Sequence, residues 1–301
     1  MASNAQFAVT VCICTFRRTS LALTLDSVAS QILPEGVDCR IIVVDNDVTP
    51  SARPLVAAFL ARRQTALDYV HAPSHNISTA RNAGLNACRT PWLAFVDDDE
   101  TVAVNWLDRL LASRDDAAAV FGRCEAIYAD GTPKWIRLGD YHSNRITPRN
   151  GVIETGYTSN VLMDMNFVRR FALQFDTALG RTGGEDTLFF HAMHRLGGRL
   201  VYAQDAVAYE QVTETRATAR WVVMRRYRAG QTYAMLQQKY DNKRYRSLVL
   251  SSPIKIAFCA AIAVALALRP SRAMWWLMRG VFHCGMLNYR LTRRLHQEYA
   301  G

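Results

Sequence analysis

From Phe7 to Asp99 the chain alternates two hydrophobic rhythms. The apolar runs FAVTVCICTF, CRIIVVDND, LDYVHA and WLAFVDDD have the length and the Val/Ile content of strands. Between them lie stretches with apolar positions three and four apart. These are TSLALTLDSVASQI, with Leu21, Leu25, Val28 and Ile32 on one face, then SARPLVAAFLARRQ and STARNAGLNAC. Strands whose apolar runs are nearly continuous belong in a parallel sheet covered on both faces. The first part of the chain is therefore predicted to run βαβαβαβ, a doubly wound, mostly parallel α/β sheet. Farther on, WVVMRRYRAGQTYAMLQQKY predicts a basic amphipathic helix. The 13-residue apolar run Ile256–Leu268 follows, with Lys255 before it and Arg269-Pro270 after it. A spanning helix takes roughly 20 apolar residues, so this run is short for one. Its basic flanks and the pair Trp275 and Trp276 fit attachment at a membrane interface. The expected division is an α/β domain over residues 1–230 and a basic, apolar helical region over 231–301.

Charge sharpens that division. Residues 1–215 hold 20 Lys and Arg against 24 Asp and Glu, a net −4, whereas residues 216–301 hold 16 against 2, a net +14. A block of that sign is either a solvated basic face or a contact for something anionic: a phospholipid surface, nucleic acid or a diphosphate-bearing substrate. At 301 residues, half of them apolar, the chain is long enough for a full core. Its seven scattered cysteines include no CxxC pair and read as reduced thiols. MASNAQFAVTV carries neither a basic segment nor a long apolar run, so no signal peptide is expected. The chain contains no GxxxxGK[ST] and no GxGxxG, which leaves neither a Walker loop nor a dinucleotide fingerprint to explain the sheet.

Three predicted strands end in polar residues. Thr15, Phe16, Arg17 and Arg18 follow the first, Asp45, Asn46 and Asp47 the second, and Asp97, Asp98, Asp99 and Glu100 the fourth. Open α/β sheets bind ligands outside the carboxyl ends of their strands. Carboxylates there suit Mg²⁺ or Mn²⁺, and Arg81 on the helix before the acidic strand suits phosphate. A second acidic motif, GGEDT at Gly183–Thr187, opens another helical segment. Read from the residues alone, it is either a Gly-rich helix start or a second part of the site. DDDETV also fits the DxDx[TV] pattern of aspartate-nucleophile phosphatases, but that motif belongs after a domain's first strand, and here three strands precede it. A non-catalytic membrane- or nucleic-acid-binding module on the same fold is the other alternative.

VTVCICTFRR, IIVVDND, NISTARNAGLNACRTPWLAFVDDDE and GGEDTLFFHAMHRLGGRLVYAQDAVAYE, in this order, resemble the successive motifs of the family 2 inverting glycosyltransferases with the GT-A fold. GGEDT and TETRATARWVVMRRYRAG are most similar to bacterial exopolysaccharide transferases of the succinoglycan glucosyltransferase kind. The resemblance implies a UDP-sugar donor, UDP-glucose first, and a polyprenyl-diphosphate-linked saccharide acceptor. Thr15, Phe16, Arg18 and Asp45 would lie along the nucleoside side of the pocket, Arg81 near the diphosphate and Asp98 toward the ribose. Asp97 and Asp99 form the DxD, with Asp99 in contact with Mg²⁺ or Mn²⁺. Many relatives have a His near VAYE as a further ligand; Glu210 stands there in this chain. Asp186 would be the general base, with Glu185 raising its pKa. The beginning of the basic helix would close over the site. Such an enzyme is expected to sit peripherally on the cytoplasmic face of the inner membrane, with no nucleic acid among its partners. His191 and His194, three residues apart, are expected to be ordinary helix-face histidines, and Trp135 a packing residue.

Overall fold

The computed structural model describes residues 7–296. Residues 1–6, part of the stretch on which the absence of a signal peptide was read, lie outside the described residues. The sheet has eight strands in the order β3-β2-β1-β4-β7-β6-β8-β5. The first half matches the apolar runs: β1 is Phe7–Thr15, β2 Val37–Asp45, β3 Leu67–His71 and β4 Trp92–Asp97, all pairing parallel. The helices α1 (Leu21–Ala29), α2 (Arg53–Arg62) and α3 (Ile77–Ala87) connect them. Leu21, Leu25 and Val28 are buried as their spacing predicts, but α1 stops at Ala29, so Ile32 falls beyond the helix and is 67% exposed.

The second half adds antiparallel pairs to this parallel core. β7 (Asn160–Asp164) runs antiparallel to both β4 and β6 (Ala119–Tyr128). β8 (Leu200–Val212) pairs parallel with β6 and antiparallel with the short β5 (Glu100–Val102). Alternation along β1 feeds two apolar layers, one on each face. Val9, Val11 and Ile13 pack with α1, α2 and α4 (Trp106–Ala112), while Cys12 packs on the side of α3 and α7 (Glu185–Arg195). α3 lies so close to β1 that a Cβ on Gly84 would meet Cys12 Sγ at 2.5 Å. None of the seven cysteines is paired.

Two short helices, α5 (Lys134–Gly139) and α6 (Met165–Arg170), precede the three long C-terminal ones. α8 is Ala219–Tyr240, α9 Asn242–Ala265 and α10 Pro270–Thr292. Position 230, the expected boundary between the two regions, lies within α8. Ile136 and Tyr141 near α5 share a cluster with Val222 of α8 and Met278 of α10, so the helical region packs onto the α/β domain. Trp135 meets Tyr141 edge-on within this cluster. Apolar run length understates α9, which continues through Pro253 for 24 residues. By length and composition α9 is long and apolar enough to cross a membrane, and only 22% of its most apolar stretch is buried. Leu250, Ile254 and Phe258, four residues apart, form an exposed apolar row, with Val264 and Leu268 exposed farther along.

Candidate active site

Strand register brings the polar ends together. Thr15 pairs with Asp45 across β1 and β2, and Cys14 with Asp97 across β1 and β4. The three consecutive aspartates then diverge. Asp98 turns back onto β1, where Oδ2 accepts from Thr15 Oγ1 at 2.6 Å and from the Phe16 amide at 3.3 Å. Burial pushes its carboxyl up to about 7, the Thr15 hydrogen bond opposing and Asp99 adding to the rise. Asp99 Oδ2 lies 3.5 Å from Arg18 and 3.3 Å from Arg216. Asp97 keeps 44% of its side-chain surface open, with Arg81 at 4.0 Å. Desolvation, then repulsion from Asp99, Glu210 and Asp186, against the pull of Arg81, brings its carboxyl up to about 6.

Asp45 is fully buried and its carboxylate is already engaged. Oδ1 accepts from the Asp47 amide at 3.0 Å, and Oδ2 from the Ala52 amide at 2.8 Å and Tyr69 Oη at 2.7 Å. It therefore fixes the loop between β2 and α2. The next polar group outward is the Arg17–Asp47 pair, with both side chains hydrogen-bonded twice. Phe16 sits beside it, edge-on to His75 at 4.6 Å and 37% exposed. Arg17's hydrogen bonds hold the Asp47 carboxyl well below the usual carboxylate range.

The second acidic motif folds into the same cleft. Gly184 caps α7 with φ 92°, and an added Cβ would meet Thr232 Cγ2 of α8 at 2.6 Å, so both backbone and space call for glycine. Glu185 does not stand open beside Asp186. It is 5% exposed and turned back to pair with Arg81 Nη1. Burial disfavours the Arg81 cation, but Glu185, Asp97 and Asp186 together hold it charged. Arg81 is thus the hub on which the DxD turn and the GGEDT helix meet. Asp186 Oδ1 accepts from the Thr187 amide at 2.6 Å. His191 is held by Glu154 O at 3.1 Å and a tilted contact with Tyr240, the satisfied helix-face role expected of it.

Beneath the DxD turn, Glu100 pairs in register with Glu210 across β5 and β8. Glu100 Oε2 accepts from the Asp97 amide at 3.3 Å and Oε1 from Cys124 Sγ at 2.9 Å. Burial, then Asp97, raises the Glu100 carboxyl well above its ordinary range. Glu100, Cys124 and Glu210 are the one trio among the described residues whose potential ligand atoms lie within 4.8 Å of one another. Glu210 also pairs with Arg216, which lies between it and Asp99.

Sequence reasoning missed Arg216 and the residue that anchors it. His142 is fully buried, and its Nε2 donates to Arg216 O at 3.0 Å while Nδ1 accepts from Tyr128 Oη at 3.1 Å. Its ring stacks on Trp221 at 4.5 Å. Burial lowers its pKa to about 4, so the ring is neutral at pH 7. Beyond Arg216 opens a groove of about 310 Å³ lined by Thr215, Thr218, Arg220, Trp221, Met224, Arg228 and His296. Neither Arg216 nor His142 carries a local motif; only the fold joins residues 142, 210 and 216.

These acids fit a divalent cation. Their oxygens suit Mg²⁺ or Mn²⁺. Burial raises the Asp97 and Glu100 carboxyls and their acidic neighbours add to the rise, while the Arg216 guanidinium already stands across Asp99 and Glu210 as a cation would.

Comparison with known proteins bears on the fold and the family. The succinoglycan biosynthesis protein ExoM of Rhizobium meliloti (strain 1021) is 39% identical over 299 residues, 98% of this chain and 97% of that protein. Among solved structures, the mannosyltransferase PcManGT from Pyrobaculum calidifontis, in complex with GDP-Man and Mn²⁺, superposes with a TM-score of 0.62 at 16% identity, covering 97% of this chain and 90% of that one. S. aureus TarS 1–349 gives 0.54 at 15% identity, with 96% and 93% covered. The family model described as Glycosyl transferase family 2 matches residues 10–175. The chain belongs to this family and is a glycosyltransferase with the GT-A fold.

Proposed function

We propose that the enzyme moves a sugar from a nucleotide-diphosphate donor, UDP-glucose first, to a hydroxyl of a lipid-linked saccharide, with inversion, in assembly of a succinoglycan-type exopolysaccharide. The observation that carries this reading is the meeting of two acidic motifs around Arg81. Asp97 of the DxD lies on one side and the helix start bearing Glu185 and Asp186 on the other. An inverting transfer needs a charge sink for the leaving diphosphate and, on the opposite face of the sugar, a carboxylate to take the acceptor's proton. Asp99 and Glu210 would hold Mg²⁺ or Mn²⁺, which when bound neutralises charge on the departing nucleotide. Arg81, fixed in its charged form, faces the same diphosphate. Asp186 accepts the proton of the attacking hydroxyl. Thr15, Phe16, Arg18 and Asp98 border the nucleoside side, with Asp45 ordering the loop beneath it. The groove beyond Arg216, with two arginines and Trp221, is the proposed seat of the acceptor's anionic end.

The ExoM relationship supports the pathway class. The exposed row on α9, with Arg279 over Trp275 and Trp276 beside Phe258, supports attachment at a membrane surface; the proposed location is peripheral, on the cytoplasmic face of the inner membrane, where a polyprenyl-linked acceptor would be met. No nucleic-acid partner is proposed. Incubation of the purified protein and Mn²⁺ with UDP, GDP and dTDP sugars tests the donor class. UDP release, fastest from UDP-glucose, is expected; release confined to GDP or dTDP sugars would overturn the donor assignment.

A further inference from the structure

Arg216 is held at its backbone and committed at its side chain to the two carboxylates proposed for the metal. Its amide donates to Thr213 O at 2.9 Å and its carbonyl accepts from His142 Nε2 at 3.0 Å, which fixes the turn between β8 and α8. From that point Nη1 reaches Asp99 Oδ2 at 3.3 Å and pairs with Glu210 Oε1. The side chain is 27% exposed, at the mouth of the cleft rather than packed in the core. Arg18 also faces Asp99, at 3.5 Å, and Asp99 and Arg225 act on Glu210 through space. A divalent cation bound by Asp99 and Glu210 would draw on the same two carboxylate charges that Arg216 now neutralises. The two cations therefore compete.

Resting on the transferase reading above, we propose that Arg216 is the exchangeable counter-ion of the donor site. In the empty cleft it neutralises Asp99 and Glu210. When a divalent cation takes those carboxylates, the guanidinium swings on its anchored backbone to the diphosphate of the nucleotide sugar, whose oxygens match its planar fork. The exchange couples metal and nucleotide. Each ligand removes what opposes the other: the metal frees Arg216 for the diphosphate, and the diphosphate draws Arg216 off the metal's ligands. By linkage the coupling is reciprocal. It also keeps the acidic cleft balanced when no substrate is present.

Binding of Mn²⁺ alone, followed by electron paramagnetic resonance of the free ion, tests the proposal without any turnover. Without nucleotide, the Arg216→Ala protein is expected to bind Mn²⁺ more tightly than wild type, by about 5- to 150-fold if the competition has a typical coupling strength. Arg216→Lys, which keeps the charge, should stay near wild type. Added UDP should tighten Mn²⁺ less in Arg216→Ala than in wild type, and UDP itself should bind the variant more weakly. If Arg216→Ala does not fold, Arg216→Gln is read in its place with the same expectation. Equal or weaker Mn²⁺ binding by the uncharged variant overturns the exchange. Absence of Mn²⁺ binding by both proteins, with and without UDP, also overturns it and removes the metal; UDP binding retained in that case leaves the donor reading standing.

Discussion

Substitution of Gly285 by alanine sets two opposing magnitudes against each other. α8 and α10 cross with Gly230 against Phe282 and Met286, and Gly285 against Tyr227 and Gln231. A Cβ on Gly285 would lie 2.9 Å from the Tyr227 carbonyl carbon, with the oxygen closer still, and 3.2 Å from the Gln231 amide nitrogen. Favourable carbon contacts sit at about 3.5–4.0 Å, so the carbonyl carbon alone asks the helices to part by roughly 0.6–1.1 Å, and the closer oxygen asks for more. A gap of about 0.5–1 Å forfeits a quarter to a half of each contact's attraction. Because the obstacle is backbone and cannot rotate away, the cost belongs near the top of the roughly 1–3 kcal/mol typical of overpacking. Alanine regains about 1 kcal/mol over glycine in a helix interior. Gly285→Ala should therefore destabilise the C-terminal helices by about 2 kcal/mol. Urea unfolding, with hydrogen exchange in α8 and α10, reads the effect. Gly230→Ala opens the same gap, so the double variant should lose less than the sum of the two. A gain of stability in Gly285→Ala, as helix propensity alone would give, refutes the packing argument.

Asp99→Asn should abolish the Mn²⁺-induced rise in melting temperature, and an undiminished rise would place the cation elsewhere. His142 titrates near 4 in the folded protein against about 6.5 unfolded, so the unfolded chain binds more protons between those values and stability falls on acidification. The loss should run at about 1.4 kcal/mol per pH unit, or roughly 3 kcal/mol from pH 6.5 to 4, and be missing from the unfolding curves of His142→Gln. Ile254→Asp with Phe258→Asp alters only exposed positions, so the fold should persist while co-sedimentation with anionic vesicles is lost. Unchanged sedimentation would assign that face another role. Truncation after Ser251 is less informative, because it removes α10 from its seat on α8.

Local pattern carried the parallel half of the sheet, since β1 to β4 and α1 to α3 each contain their own apolar rhythm. The antiparallel half depends on pairings between distant residues. Asn160 is fully buried, binding Trp106 Nε1, Arg123 O and Ala206 O, yet nothing near it in the sequence signals a strand in the middle of the sheet. The acids of the site were visible as motifs because like charges seldom cluster without a purpose. Their partners were harder to see. Glu185 reads as a neighbour of Asp186 in sequence, but the first turn of α7 sends it to Arg81, 104 positions away. Arg216 resembles any surface arginine until β8 and β5 place Glu210 beside the DxD turn. α9 misled for another reason: counting consecutive apolar residues gave 13, while helix length also includes the polar first turns.

Transfer by Asp186→Asn tests the central claim most directly. The amide keeps the size and hydrogen-bonding capacity of the carboxylate but cannot take a proton from the acceptor. With UDP-glucose, Mn²⁺ and lipid-linked saccharide, turnover at saturation should fall by roughly 10²- to 10⁴-fold, the usual contribution of a general base. UDP affinity measured on the same protein should be unchanged. Full turnover in Asp186→Asn, or lost UDP affinity with turnover intact at saturation, would contradict the assignment of Asp186 as base.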